Sequence, residues 1–212
     1  ASSLFGAVSH AHALCDETGR PTPVIHRDIQ PAHIVISSDA QVRLAGFGIA
    51  KIAGTFGDTA AGFIKGTPAY MAPEQARGEK VTERVDIYAA ALVVWELLAG
   101  RSVAPPGSID SHTELLKIIS GRNVETVESL RPDVPREVAA ALDACLEMSP
   151  EKRNIKAADV ERWLKRVVNT DAGKNELRER IVQLRQPSLR PPPPATSGRP
   201  SFAPKPGVDP RK

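Results

Sequence analysis

The chain has 212 residues and a formal net charge of +3, with 41% hydrophobic and 25% charged residues. These fractions are typical of folded proteins and exclude both a disulfide-dependent miniprotein and a wholly disordered chain. The tail 187–212 carries a net charge of +4, which leaves residues 1–186 at −1. A near-neutral body argues against a nucleic-acid-binding fold, which usually carries a basic stripe.

The cysteines and the apolar runs bear on compartment and membrane association. Cys15 and Cys145 have no CxxC or Cys/His spacing, so we expect free thiols, no zinc site and a cytoplasmic location. The longest apolar run, residues 87–95, is far shorter than the roughly 18 residues of a membrane span, so none is predicted. The chain opens at Ala1, not Met, inside an amphipathic stretch, and we expect a truncated fragment.

The first third of the chain predicts one helix, short strands and a loop. Apolar residues at helical spacing predict a helix over 4–16, which glycine and proline then end. β-branched and alternating runs predict small strands at 24–25, 34–36 and 41–44, the last two joined by a turn. Residues 45–72 hold six glycines and few large apolar side chains, a composition that predicts an extended mobile segment.

The remainder of the body predicts helices. An almost continuously apolar stretch over 85–99, closed by Gly100, predicts a helix buried on all sides. Nine of the 19 prolines lie in 187–212, which predicts a disordered or polyproline II tail. Amphipathic patterns predict further helices over 112–120, 136–148, 156–168 and 172–186.

Several short motifs follow one another in a set order. His26-Arg27-Asp28 is followed after eighteen residues by Gly46-Phe47-Gly48, then by GTPAYMAPE at 66–74, and later by Asp86 and Arg153. In this order and spacing they resemble the C-terminal lobe of bacterial Ser/Thr protein kinases. The resemblance covers about residues 1–168 and implies an α+β, mainly helical fold with small β-hairpins at the catalytic loop.

The resemblance also implies a division of the chain. Residues 1–168 correspond to a kinase-like C-lobe truncated at its N-terminus, with the N-lobe absent. Residues 169–186 form a charged helical extension, and 187–212 a Pro-rich, basic, disordered tail. The tail is expected to be a linker, with a polyproline ligand for SH3-like grooves as the alternative.

The positions that carry kinase chemistry have changed. By resemblance Asp28 accepts the proton of the substrate hydroxyl, although a role confined to ordering its own loop is also open. Gln30 stands where the family has lysine, and His33 where it has the metal-binding asparagine. Gly46 replaces the DFG aspartate. We therefore expect no metal site and no certain cofactor, with ATP and magnesium bound only if an upstream N-lobe exists.

Residues that the family uses for architecture are kept. His26 and Phe47 match the two lower members of its hydrophobic regulatory stack. Glu74 and Arg153 match its buried ion pair. Asp86 matches the aspartate that braces the catalytic loop. Packing retained while chemistry is lost is typical of a pseudokinase.

Other positions match the regulatory and peptide-binding parts of the family. Arg27 is placed to receive a phosphorylated activation-loop residue, for which Thr55 and Thr59 are candidates, unless both are ordinary loop residues. Thr67 corresponds to the threonine that faces the catalytic aspartate, with a simple turn residue as the alternative. Tyr70 is expected to line the substrate groove.

Three functions remain open at this point. The first is a catalytically impaired Ser/Thr kinase-like domain that binds a protein partner or peptide as a regulatory scaffold. The second is the C-terminal part of an ATP-dependent Ser/Thr kinase whose N-lobe lies upstream. The third is a decayed, non-functional fragment. Neither nucleic acid nor a membrane is an expected partner.

Overall fold

The computed structural model describes residues 1–47, 68–103, 112–122, 124–167 and 169–185. Most of the segment predicted to be mobile and the whole Pro-rich tail lie outside these ranges. The described residues form α1 (Ser2–His12), β1 (Ile34–Ile36), β2 (Val42–Leu44), α2 (Pro73–Ala76), α3 (Arg84–Ala99), α4 (His112–Ser120), α5 (Val127–Leu130), α6 (Arg136–Cys145), α7 (Ala157–Val167) and α8 (Thr170–Arg185).

Helix α3 is the centre of the fold. Every residue from 85 to 95 is buried, as expected for a helix that is apolar on all faces. The helix ends at Gly100, whose φ of +64° is left-handed and whose N–H donates to the Glu96 carbonyl at 2.8 Å. Past its buried stretch, Leu97 is 71% exposed, so the end of α3 emerges from the core.

The other long helices surround α3. Helix α1 packs on α7, β2 and α3, and α6 packs on α3, α5 and α7. Gly6 faces α7: an added Cβ there would lie 2.7 Å from Oε1 of Glu161, at the tip of a flexible side chain that would have to move. Apolar side chains fill the interface between these two helices and α3, among them Phe5, Val8 and Leu164. The body is mainly helical, as expected.

The small sheet is a single antiparallel hairpin in the part of the chain that is described. Ile34 pairs with Leu44, and Ile36 with Val42. Its turn places Ala40 at a φ of +61°, in the left-handed region that a non-glycine residue rarely adopts. The strand predicted over 24–25 is wrong: the Val24 N–H donates to the Ala11 carbonyl at 2.9 Å, so this segment lies against the end of α1.

Helix α8 follows α7 after a short break. Its apolar residues Leu177, Ile181 and Leu184 share one face of the helix. Leu177 and Ile181 are half-buried, whereas Leu184, near the end of the helix, is 79% exposed. Arg178 Nε donates to the Asp39 carbonyl at 3.2 Å, which connects α8 to the hairpin turn. Within the described ranges, no helix combines the length and the apolar composition needed to cross a bilayer.

Candidate functional site

The segment 26–33, which corresponds by resemblance to the catalytic loop and is called so below, is hydrogen-bonded to α3. Asp86, in the first turn of α3, is 1% exposed and accepts the His26 N–H at Oδ2 and the Arg27 N–H at Oδ1, both at 2.8 Å. His12 Nε2 lies 2.8 Å from the same Oδ2. One buried carboxylate therefore fixes two consecutive peptide groups of the catalytic loop and the end of α1.

Arg27 has an unusual backbone that is held on both sides. Its φ is +67°, so the peptide groups flanking it turn toward different partners. The Arg27 N–H reaches Asp86, and the Arg27 carbonyl accepts Nε2 of Gln75, in α2, at 2.7 Å. Nε of Arg27 is buried and has no hydrogen-bond partner among the residues that the structure describes. The bond from Gln75 connects α2 directly to the catalytic loop.

Asp28 and Gln30 interact with each other. Gln30 Nε2 donates to Oδ1 of Asp28 at 2.9 Å, and Gln30 is 8% exposed while the Asp28 side chain is 41% exposed. A neutral amide orients the carboxylate but adds no positive charge beside it. The Asp28 carboxylate therefore faces solvent with its position fixed and without a cationic neighbour at position 30.

His33 closes the other side of this loop. Its Nδ1 lies 2.6 Å from the carbonyl oxygen of Asp28 and 3.5 Å from the carboxylate Oδ2 of the same residue. A carbonyl oxygen only accepts, so Nδ1 carries the proton in this contact. Nδ1 of His33 therefore donates a hydrogen bond to the Asp28 carbonyl.

Gly46 lies against the ring of His33. A Cβ at Gly46 would stand 3.2 Å from both Cγ and Cδ2 of His33, and the φ of Gly46 is +89°. Magnesium prefers oxygen ligands in an octahedron, whereas this pair presents an imidazole and no side chain. The described residues contain no group of three or more His, Cys, Asp or Glu able to hold a metal. The residues at 33 and 46 do not fit the magnesium that kinase chemistry uses.

His26 connects the loop to the residue after Gly46. Its ring contacts Phe47 edge to face at 4.6 Å between centroids, and its Nε2 lies 2.8 Å from the Ala45 carbonyl. Phe47 is 42% exposed on its other side. The third member of the triplet, Gly48, lies outside the described residues.

Glu74 and Arg153 form an ion pair that is withdrawn from water. Nη1 of Arg153 lies 2.7 Å from Oε1 of Glu74, with the two side chains 0% and 1% exposed. The guanidinium also donates to the carbonyls of Arg84 and Glu147 and lies over the ring of Tyr88 at 4.6 Å. These contacts attach α2 to α3 and to the loop between α6 and α7.

Tyr70, in the middle of the GTPAYMAPE block, contacts Glu96 near the end of α3. Its hydroxyl donates to Oε2 of Glu96 at 2.7 Å, and burial together with this carboxylate acceptor raises the pKa of Tyr70 well above its usual value. Oε1 of Glu96 accepts from the Ser102 hydroxyl and the Val103 N–H. The other residues predicted for this groove and for phosphorylation, Thr55, Thr59 and Thr67, lie outside the described residues.

Arg122, at the end of α4, holds the segment around Tyr70. Its guanidinium donates to the carbonyls of Ala69 and Met71 and to the hydroxyl of Tyr88. Arg122 was not predicted, because an arginine after a helix carries no sequence signal of the carbonyls that it contacts. His12, Gln75 and Glu96 were not predicted either. For Gln75 the neighbouring Glu74 was a usable signal, since both belong to one helical turn.

Comparison with known proteins assigns this arrangement to a family. The family model described as "Protein kinase domain" matches residues 1–163. The tyrosine-protein kinase MasK of Myxococcus xanthus is 36% identical over 143 residues, which are 68% of this chain and 22% of that protein. The serine/threonine-protein kinase PknA of Mycobacterium tuberculosis is 30% identical over 154 residues, 69% of this chain and 34% of PknA.

Two further proteins are similar to this chain in sequence or in structure. PkaA of Streptomyces coelicolor, a serine/threonine-protein kinase, is 35% identical over 134 residues, 61% of this chain and 23% of PkaA. The crystal structure of the Mycobacterium tuberculosis PknI kinase domain superposes with a TM-score of 0.49 at 26% identity, covering 78% of this chain and 51% of that one. The chain spans about a third or less of the curated relatives named here. It belongs to the protein kinase domain family, with bacterial serine/threonine kinases among its relatives.

Proposed function

We propose that this domain is a pseudokinase, which does not transfer phosphate and serves as a binding or regulatory scaffold. The observation that carries the proposal is the contact between His33 and Gly46, where a Cβ would stand 3.2 Å from the imidazole. The two positions that would hold magnesium in the family offer no side chain at 46 and an imidazole at 33, whose protonated Nδ1 is bound to the Asp28 carbonyl and whose Nε2 is a ligand that magnesium does not favour.

The electrostatics of the loop support the same conclusion. Phosphoryl transfer is catalysed mainly by positive groups preorganised around the transferring phosphate, and losing one such group elsewhere costs about a hundredfold or more in rate. Gln30 replaces the family's lysine with a neutral amide that donates to Asp28. The positive charge at position 30 and the metal ligands at positions 33 and 46 are lost together. No group at these positions would therefore activate a phosphate for transfer beside Asp28.

The architecture that remains suits a scaffold. Asp86 still fixes the backbone of the loop, and Glu74 and Arg153 remain paired in the core. The partner we propose is a protein or peptide that contacts the groove at Tyr70. Its regulation would act through Arg27, with Thr55 or Thr59 as the phosphorylated residue. The extension 169–186 and the Pro-rich tail then link this domain to other parts of a cytoplasmic protein.

One observation favours a second candidate, an active kinase. Asp28 is present, its carboxylate is 41% exposed, and Gln30 holds it in a defined position. In that case ATP and magnesium would bind with the help of an N-terminal lobe encoded upstream, through ligands other than those at 33 and 46.

A phosphate-transfer assay separates the two candidates. The natural polypeptide, purified from its own cells, is incubated with radiolabelled ATP and magnesium or manganese, alone and with general Ser/Thr kinase substrates. The matched control is Asp28→Asn, which removes the proton acceptor. We expect the same background incorporation from both proteins. Transfer that exceeds the background and disappears in Asp28→Asn would refute the pseudokinase proposal and establish the active kinase.

A further inference from the structure

We propose that the imidazole of His33 fills the space between positions 33 and 46, which correspond to the metal-binding positions of the family. We call this role of His33 the plug. The residue tolerated at one of the two positions then depends on the residue at the other. The imidazole leaves a Cβ at position 46 a few tenths of an ångström too little room. The inference rests on the proposed function, because it concerns the same two positions, but it makes a separate statement: neither substitution can be reversed alone.

The contact itself is tighter than ordinary packing. A Cβ at Gly46 would lie 3.2 Å from Cγ and Cδ2 and 3.3 Å from Nδ1 of His33. Ordinary contacts of a methyl group begin at about 3.5 Å. Because three atoms of one rigid ring lie at this distance, the ring as a whole would have to shift by a few tenths of an ångström.

The ring of His33 is held in place by its own loop. Nδ1 donates to the Asp28 carbonyl at 2.6 Å, and the His33 N–H donates to the Gln30 carbonyl at 3.0 Å. Swinging the ring away from Gly46 would break the bond to Asp28 and leave a partly buried carbonyl without a partner, which costs free energy. His33 therefore cannot yield cheaply.

The backbone on the other side is held as well. The Ala45 N–H donates to the His33 carbonyl at 2.8 Å, and the Ala45 carbonyl lies 2.8 Å from Nε2 of His26. These two bonds fix the peptide group that precedes Gly46. The φ of Gly46 is +89°, and this left-handed backbone already disfavours a residue with a side chain. Residue 46 cannot move away from the ring without loosening both contacts.

This arrangement gives His33 a definite role. The imidazole joins the catalytic loop to the segment after β2, through its bond to Asp28 and its packing on Gly46. Replacing Gly46 by aspartate alone would crowd the ring, and replacing His33 by asparagine alone would remove the ring that packs on Gly46.

A double-mutant cycle in thermal unfolding tests the plug. The variants are Gly46→Ala, His33→Ala and the pair together, made in the 212-residue chain. Gly78→Ala is the matched control, because Gly78 has a φ of +70° but nothing within 4 Å of an added Cβ. The control lowers the unfolding midpoint by about 2–8 °C through left-handed strain alone.

The expected result is a coupling between the two positions. Gly46→Ala lowers the midpoint by roughly 2–10 °C more than Gly78→Ala does, through overpacking. In the His33→Ala background that excess disappears. If Gly46→Ala fails to unfold cooperatively, recovery of a cooperative transition in the double variant supports the plug. Equal costs for Gly46→Ala in both backgrounds, or no recovery, would overturn it.

The outcome is independent of the phosphate-transfer assay. A protein that transfers phosphate and still shows the coupling would refute the pseudokinase and keep the plug. A protein without transfer and without coupling would keep the pseudokinase and refute the plug.

Discussion

The carboxylate of Asp86 accepts the backbone N–H of Arg27 at 2.8 Å, although 59 residues separate them along the chain. The same side chain accepts the N–H of His26, and both bonds are made in the interior. A buried carboxylate with hydrogen bonds to charged or polar donors contributes more than a solvated one, because water cannot replace its partners. The shape of the catalytic loop therefore depends on the first turn of α3.

Asp86→Asn should loosen the catalytic loop. In asparagine an NH2 group replaces one carboxylate oxygen and faces a backbone N–H, which is also a donor. One of the two hydrogen bonds from His26 and Arg27 is therefore lost, and a repulsive contact replaces it. We expect a loss of about 2–3 kcal/mol of unfolding free energy. Amide hydrogen exchange at His26 and Arg27 should accelerate by about tenfold or more, measured by NMR or mass spectrometry.

Asp143→Asn is the control for this effect. Asp143 also accepts a backbone N–H, that of Val127 at 2.9 Å, but it lies in α6 and its bond is to the start of α5. The control should leave exchange at 26 and 27 unchanged. Equal acceleration in both variants would mean that the loop opens only with global unfolding, against the local role assigned to Asp86.

Breaking the pair of Glu74 and Arg153 should be costly. Glu74→Gln leaves the guanidinium of Arg153 charged at 0% exposure, held only by carbonyls and by the ring of Tyr88. Leaving one buried charge unpaired costs about 3–5 kcal/mol of unfolding free energy. Urea unfolding followed by circular dichroism measures the loss.

The exposed pair of Arg77 and Glu79 supplies the comparison. These side chains are 44% and 48% exposed, and their N–O distance is 2.5 Å. Exposed pairs contribute little because water and salt screen them. Glu79→Gln should not shift the urea midpoint measurably. A Glu74→Gln midpoint as close to wild type as that of Glu79→Gln would show that the buried pair does not stabilise the fold.

How much the sequence predicts differs between elements. Helical spacing placed α4 at its observed bounds of 112–120 and placed α3 one residue from its observed start. Helix periodicity is a local property, set by which face is buried, so a sequence contains it. The strand predicted at 24–25 is not formed, since β-branched residues favour extended backbone but cannot supply a neighbouring strand.

The candidate site was also predictable only in part. The order and spacing of the motifs located its positions in the sequence, and the family resemblance supplied their expected roles. What spacing could not give is which side chains meet across long separations, such as Gln75 with the Arg27 carbonyl or Arg122 with those of Ala69 and Met71. The contact of His33 with Gly46 was also invisible, because it depends on a backbone with φ of +89° that only the fold specifies.

The loss of Arg122 should destabilise the fold more than the loss of its hydrogen bond to Tyr88 alone. Arg122→Gln removes a cationic donor from two carbonyls and a hydroxyl, and hydrogen bonds to a charged group contribute about 1.5–3 kcal/mol. Tyr88→Phe removes the hydroxyl contact and should cost about 1 kcal/mol. Urea unfolding of both variants makes the comparison. If Tyr88→Phe costs as much as Arg122→Gln, the bonds to the two carbonyls contribute nothing.

The buried thiol of Cys145 should make stability fall at alkaline pH. Burial raises the pKa of Cys145 from 9.0 to about 12, so the folded protein keeps a proton that the unfolded chain releases. A raised folded-state pKa gives stability that is complete below the unfolded value and is lost as pH rises through the window between the two. Ionisation of this thiol in the unfolded chain should therefore lower the unfolding free energy by about 1.4 kcal/mol between pH 8 and pH 10.

The comparison of wild type with Cys145→Ala isolates this group from the tyrosines and lysines that titrate nearby in pH. Urea unfolding at pH 8 and pH 10 gives each protein's loss of stability, and the wild-type loss should be the larger by about 1.4 kcal/mol. Cys15 is exposed, so Cys15→Ala should leave the wild-type dependence unchanged. Equal losses in wild type and Cys145→Ala would mean that the buried thiol ionises as readily in the folded protein as in the unfolded chain.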